Sequence, residues 1–176
     1  MKIKLFIFTL IILFVSSCSE SFLEQEDPTQ ITTDAFWETE DDIVSGLASI
    51  YNAITDDYEG HYGTVNWELM EGKTENFTIR NDVRTRYTIS IFQNTSSNGS
   101  AASLYKGAYV GIFRANQVIQ YGGKVDISDD VKNPLIAEAK FLRGLNYFFL
   151  VTDFGQVPIT TAVAETSEDY YVAKST

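Results

Sequence analysis

One cysteine, Cys18, and one histidine, His61, are all that this 176-residue chain offers of two residue types on which much catalysis rests. A lone cysteine forms no disulfide within the chain. A lone histidine removes any two-histidine metal site and most triad chemistry. Basic residues are also scarce: 13 Lys and Arg stand against 24 Asp and Glu, giving a net charge of −11 and an isoelectric point near 4.4. Such a chain is repelled by polyphosphate backbones and anionic headgroups, so nucleic acid is excluded as a partner. The apolar run Leu5 to Val15 falls well short of the roughly 20 residues a bilayer-spanning helix needs. Neither a nucleophile elbow nor a phosphate loop is present. Asp41-Asp42 and Asp129-Asp130 stand near helix starts, where the dipole explains them better than a glycosidase pair does. Asp56, Asp57 and Glu59 lack the spacing of a calcium loop. A non-enzyme without metal or cofactor is expected.

What is present begins at the N-terminus. Lys2 and Lys4 precede the apolar run, and Val15-Ser16-Ser17 supply small side chains before Cys18, which is the pattern of a cleaved export signal over residues 1–17. The Val-Ser-Ser-Cys junction resembles the lipobox of bacterial lipoproteins. That resemblance implies a diacylated Cys18 thiol, cleavage before it and a third acyl chain on the new amino group. Burial gives about 0.8 kcal/mol per methylene, so several chains anchor stably where one does not. Residues 1–17 carry two lysines and no acid, so their removal leaves 159 residues and takes the net charge from −11 to −13. Residues 18–31, acidic and interrupted by Pro28, read as a lipidated tether. Ser19 and Glu20 are either part of a sorting signal or ordinary linker. The remainder, residues 32–176, is expected to form one domain. With 14% aromatic residues it has the means to bury a core.

Three helices stand out. The first is capped by Thr39, carries Glu40, Asp41 and Asp42 in its first turn, and repeats Ile43, Leu47, Ile50 and Ile54 on one face as far as Thr55. Before it, Thr32 to Trp37 predicts a capped turn that drops Phe36 and Trp37 onto that helix. The second spans about Ala101 to Tyr121 with Gly122 as its stop. Gly107 and Gly111 on one face predict close approach of another backbone, because each costs about 1 kcal/mol against alanine in a helix interior. The third is expected to open at Asn133-Pro134 and to close near Asp153, with Gly155 in a left-handed position. After Leu142 it is apolar nearly all round, as for a helix sandwiched between neighbours. Ala137, Phe141 and Gly144 fit the second helix of a tetratricopeptide unit. The fold class is therefore mainly α, with tetratricopeptide-like antiparallel helix pairs.

Residues 57–100 form an irregular, loop-rich insertion. Trp67 to Met70 predict a short helical turn, and Tyr87 to Phe92 alternate like a short strand. Long unpatterned segments often bind. Sugar rings need flat aromatic faces beside amides, carboxylates or arginine. The segment offers Tyr58, Tyr62, Trp67, Tyr87, Asn66, Asn76, Arg80 and Arg84, of which Tyr62, Trp67, Tyr87 and Arg84 are the candidate glycan-binding residues. Trp67, beside Leu69 and Met70, also reads as core. Tyr105, Tyr109, Tyr147 and the third helix's phenylalanines read as core from their spacing. Glu138, Arg143 and Asn116 read as structural polar anchors between helices, since a buried charge must be paired.

Ordered segments of the chain resemble the RagB/SusD family. They are Phe22-Leu23 with Pro28, the Thr33 to Trp37 turn and Ala48-Ser49-Ile50-Tyr51-Asn52-Ala53-Ile54. Tyr109, Ile112, Ala115, Asn116 and Ile119 follow at family spacing. Ala137 to Gly144, Tyr147 to Val151 and Phe154-Gly155-Gln156-Val157-Pro158 complete the match. Leu104 or Tyr105 stands where the family often has Trp, and Gly144 where it often has Ala. The resemblance implies an outer-membrane lipoprotein on the cell exterior that captures oligosaccharides or peptides. It also implies a SusC-like TonB-dependent transporter as partner. Members are several hundred residues long, so residues 32–176 are expected to be an N-terminal helical domain. The competing expectation is a helical lipoprotein scaffold that binds protein and has no ligand site of its own.

Overall fold

The computed structural model describes residues 36–174. The export signal, Cys18, the tether and the first part of the Thr32 to Trp37 turn lie outside the described residues. Five helices follow in order: α1 Glu40–Thr55, α2 Thr64–Glu71, α3 Arg84–Ser90, α4 Gly99–Gln120 and α5 Asp129–Phe154. Short 3-10 turns occupy Gly122–Lys124 and Ser167–Tyr170. Among the described residues there is no strand beyond a single antiparallel bridge between Pro158 and Lys174. None of the described helices is long and apolar enough to cross a membrane.

α1 starts and stops at its sequence signals. The Thr39 hydroxyl accepts the Asp42 amide at 3.3 Å while the Asp42 carboxylate accepts the Thr39 amide at 2.8 Å, so two orphan donors are satisfied reciprocally. That box holds the Asp42 carboxyl below its ordinary value of 3.8, the Thr39 side chain being the largest cause and the Thr39 amide the next. A depressed folded value stabilises the fold above the unfolded value and is lost as pH falls through it. The melting temperature of the protein is therefore expected to fall below pH 4 more steeply than that of Asp42→Ala, as thermal melts across pH 6 to 2 would record; parallel curves would contradict the box.

Ile43, Leu47, Ile50 and Ile54 of α1 meet Ala115 and Val118 of α4 and Ala139 and Leu142 of α5 in the main core. Each of the isoleucine, leucine and valine side chains contributes about 1.5–3 kcal/mol on full burial. Trp37 packs on this core, and its ring fills the space over Gly46. α4 runs antiparallel to both partners. Val118 and Arg114 of α4 face Gly46 and Ser49 of α1, while Asn116, Gly111 and Ile112 face Arg143, Asn146 and Leu150 of α5.

The close approach at the α4 glycines is real, but of two kinds. A Cβ on Gly107 would lie 2.0 Å from the Glu59 backbone oxygen, whereas one on Gly111 would meet the Asn146 side chain at 2.7 Å. Only the first is backbone.

Several expectations fail in whole or in part. α5 begins at Asp129, not at Pro134, because the first-turn aspartates favour the helix's positive end and Pro134 forfeits only its bond to the exposed Asp130. Tyr87 to Phe92 form no strand: α3 covers Arg84–Ser90, and Ile89 turns in against Val65, Leu69 and Leu104. α5 is not sandwiched. Its face of Ala139, Leu142, Asn146 and Leu150 is buried, while Phe141 and Phe148 on the other side are 69% and 60% exposed. Those two phenylalanines are therefore not core. Gly155 closes α5 with positive φ, as expected, but at φ 74°, ψ −130° it occupies an extended mirror region rather than the left-handed helical one.

Candidate functional site

The segment between α1 and α4 is more ordered than its composition implies. α2 turns Val65 and Leu69 inward, which leaves Trp67 56% exposed with Met70 beside it. The Trp67 ring meets Phe77 edge-on at 5.0 Å. Such pairs contribute about 0.5–1.5 kcal/mol beyond area burial and hold the indole plane in place. Trp67 is thus a surface residue, and the core alternative does not hold.

Tyr62 is 66% exposed and stands edge-on to Phe149 at 5.5 Å. Phe149 is itself stacked flat on the buried His61 ring at 4.4 Å, and His61 Nε2 lies 3.2 Å from Asp153 Oδ2. The chain's single imidazole therefore backs the Phe149 ring against which Tyr62 stands. Asn66 is buried and donates to the His61 carbonyl at 2.8 Å, so it belongs to this support and not to a ligand face.

Arg84 opens α3 and is exposed, and Tyr87, one turn on, is half-buried. α3 is fixed to α2 by the Arg86–Glu68 ion pair. The four candidate glycan residues thus occupy three placements: Tyr62 in the α1–α2 turn against Phe149 of α5, Trp67 on α2, Arg84 and Tyr87 on α3. Tyr58 is also exposed. Asn76 and Arg80 lie in the α2–α3 connection, where Arg80 pairs with Asp82.

A second feature escaped sequence reasoning. Residues 158–165 form a strap over α4, enclosing a cleft of about 880 Å³ lined by Tyr105, Tyr109, Phe113, Gln120, Ile159 and Val172, among others. Tyr105 and Tyr109 are half-buried cleft walls, their rings tilted at 46° to each other with centroids 4.9 Å apart. Burial first, and then the neighbouring Tyr105, push the Tyr109 hydroxyl far above its ordinary range, so it stays a neutral donor to the Pro158 carbonyl at 2.6 Å. The available signal was excess: Tyr105, Tyr109 and Phe113 widen the α4 stripe beyond the face that α1 and α5 need.

The strap is held by side chains reaching for its backbone. Asn116 donates to the carbonyls of Thr160 and Ala162 at 3.2 Å, and Arg143 donates to Asn116 Oδ1 at 2.8 Å and to the Thr161 carbonyl at 3.0 Å. Tyr147 donates to Thr160 at 2.8 Å, and Gln120 accepts the Val163 amide at 3.1 Å. Glu138 does something different: its carboxylate accepts the Tyr51 hydroxyl at 2.6 Å, joining α5 to α1. Among the described residues no group of His, Cys, Asp and Glu converges as metal ligands would.

Mainly α helix pairs, an aromatic insertion and a strapped cleft define the class. Residues 21–176 match the SusD-like family model described as starch-binding and associating with the outer membrane, and the chain belongs to that family. SusD-like protein P2 of Formosa agariphila is 26% identical over 170 residues, covering 96% of this chain and 33% of the relative. A SusD superfamily structure from Bacteroides vulgatus superposes with a TM-score of 0.74 at 26% identity, over 80% of this chain and 31% of that one. A SusD-like carbohydrate-binding protein from Bacteroides fragilis, 22% identical, shares the fold with a TM-score of 0.60 over 80% of this chain and 28% of its own. The chain spans about a third of the length of these proteins.

Proposed function

We propose that the chain is the N-terminal helical portion of an outer-membrane lipoprotein. It is anchored through acyl chains on Cys18 after loss of residues 1–17, held off the membrane by residues 18–31, and faces the cell exterior. There it captures oligosaccharides by binding alone and delivers them to a SusC-like TonB-dependent transporter. The observation that carries this reading is the pair of outward rings, Tyr62 and Trp67, each braced edge-on by an inner phenylalanine on a SusD-like scaffold. Braced rings present a fixed apolar plane to the axial hydrogens of a sugar, with little conformational entropy left to lose.

Calorimetry of the purified protein against starch fragments and other soluble glycans tests it. Trp67→Ala is expected to weaken the glycan that binds by about tenfold, equivalent to about 1.4 kcal/mol. Silence across the glycans, from the parent protein as well as the variant, would end the reading. Mass spectrometry of the mature protein checks the anchor: an unmodified Cys18 thiol would remove it.

The exposed face of α5 favours a second reading, a helical scaffold that binds protein. Phe141, Phe148 and Val151 recur at steps of seven and three, which presents one apolar ridge to solvent. Capture of a barrel transporter with no glycan heat would favour it.

A further inference from the structure

We propose that Phe92 is a sugar-stacking residue, an inference that rests on the glycan-capture reading. Phe92 follows α3 in the position that closes a helix in left-handed backbone. Its amide donates to the Ile89 carbonyl at 3.0 Å and the Gln93 amide to the Thr88 carbonyl at 2.7 Å, the two bonds of a Schellman closure. Glycine is the usual occupant there. Phe92 has φ 58° and is the only non-glycine among the described residues with positive φ.

An aromatic residue in left-handed backbone is strained. Burial does not offset that strain, because Phe92 is 74% exposed. The fold would be better served by glycine at this site, so the ring answers to something outside the fold. α3 is not free to relieve the strain by drifting, since Ile89 is locked into the Val65, Leu69 and Leu104 cluster and Arg86 is paired with Glu68.

The surroundings identify the chemistry. The residues that follow, Gln93, Asn94, Thr95, Ser96 and Ser97, are all polar and exposed. An apolar plane edged by side-chain amides and hydroxyls suits a pyranose ring, whose faces carry C–H groups and whose rim carries hydroxyls. A protein interface core would want contiguous apolar surface, whereas Ile91 is the only other exposed large hydrophobic side chain within residues 71–112. Arg84 and Tyr87 ride on the same short helix, so Phe92 extends their element to its far end.

Phe92→Gly and Phe92→Leu separate the ring from the backbone. In thermal melts, Phe92→Gly is expected to raise the melting temperature by about 2–4 °C, the shift that relief of one strained residue gives at this chain length. Phe92→Leu keeps the strain and is expected to leave the melt unchanged. In calorimetry with maltoheptaose, xylohexaose and cellohexaose, both variants are expected to bind at least tenfold more weakly whichever probe the parent binds. A melt that does not rise in Phe92→Gly overturns the proposal, because the strain is then absent. Parent-like affinity in both variants, with Trp67→Ala weakened, also overturns it while glycan capture stands. Unchanged glycan affinity with loss of barrel-transporter capture transfers the ring to a protein contact. A parent silent to every probe ends both the proposal and the reading beneath it.

Discussion

Gly107→Ala is expected to destabilise the protein by about 2 kcal/mol, although alanine is the better helix former by about 1 kcal/mol. The added carbon would sit 2.0 Å from the Glu59 carbonyl oxygen and 2.6 Å from its carbon, and both are backbone atoms. That turn cannot swing aside. Asp56 Oδ1 accepts the amides of Tyr58 and Glu59 at 2.9 Å, and the Tyr62 amide is bonded to Ile54 at 2.9 Å. Overpacking of this kind costs about 3 kcal/mol at its upper end, which exceeds the propensity gain. Gly144→Ala is the matched control: it lies mid-helix in α5, where a built Cβ meets nothing within 4 Å beyond its chain neighbours and its own helix backbone, and should stabilise by roughly 0.5–1 kcal/mol. Urea titration of the two variants reads the sign directly. If both stabilise, the contact between α4 and the 56–63 turn is looser than described.

Arg143→Met should cost about 2 kcal/mol, nearly all of it at one atom. The guanidinium serves two acceptors, but the Thr161 carbonyl belongs to an exposed residue and water can replace that bond. Asn116 is almost fully buried, and its Oδ1 would be left without a donor. The cost therefore depends on the acceptor still being there. Asn116→Leu in the same chain removes the orphan, so the double variant should be less destabilised than the sum of the singles, with a coupling of about 1 kcal/mol. Faster protease cleavage within residues 157–165 of Arg143→Met would show where the loss is felt. Additive effects in the cycle would sever Arg143 from Asn116.

The parts of the fold legible from sequence are those where several local signals agree. The bounds of α1 at Thr39 and Thr55 are legible because a capping threonine, first-turn acids and a four-turn apolar stripe all point to one answer. Pro134 misled because its effect depends on which carbonyl it deprives, and here that is the exposed end of α5. Tyr87 to Phe92 misled because six alternating residues satisfy a strand and a short helix equally, and only the pocket awaiting Ile89 decides between them. Phe141 and Phe148 misled in another way: periodicity records which residues share a face, not whether a neighbour covers it. For the candidate site, the outward rings of Tyr62 and Trp67 could be nominated from composition. Their bracing by Phe149 and Phe77 joins residues distant in the chain, and the Phe92 torsion leaves no trace in residue type.

The strap between α5 and the final turn is recognised almost wholly through its main chain. Tyr109, Asn116, Arg143 and Tyr147 address the oxygens of Pro158, Thr160, Thr161 and Ala162, and Gln120 takes the amide of Val163. Peptide groups are common to every amino acid, so the lettering of this segment is free to drift while the helices keep their grip. Diversity along one wall of the cleft then comes without a toll on folding, whereas the gripping residues tolerate little exchange. A library randomised over residues 159–163 should yield mostly folded members, and one randomised at residues 109, 116, 143 and 147 mostly unfolded ones.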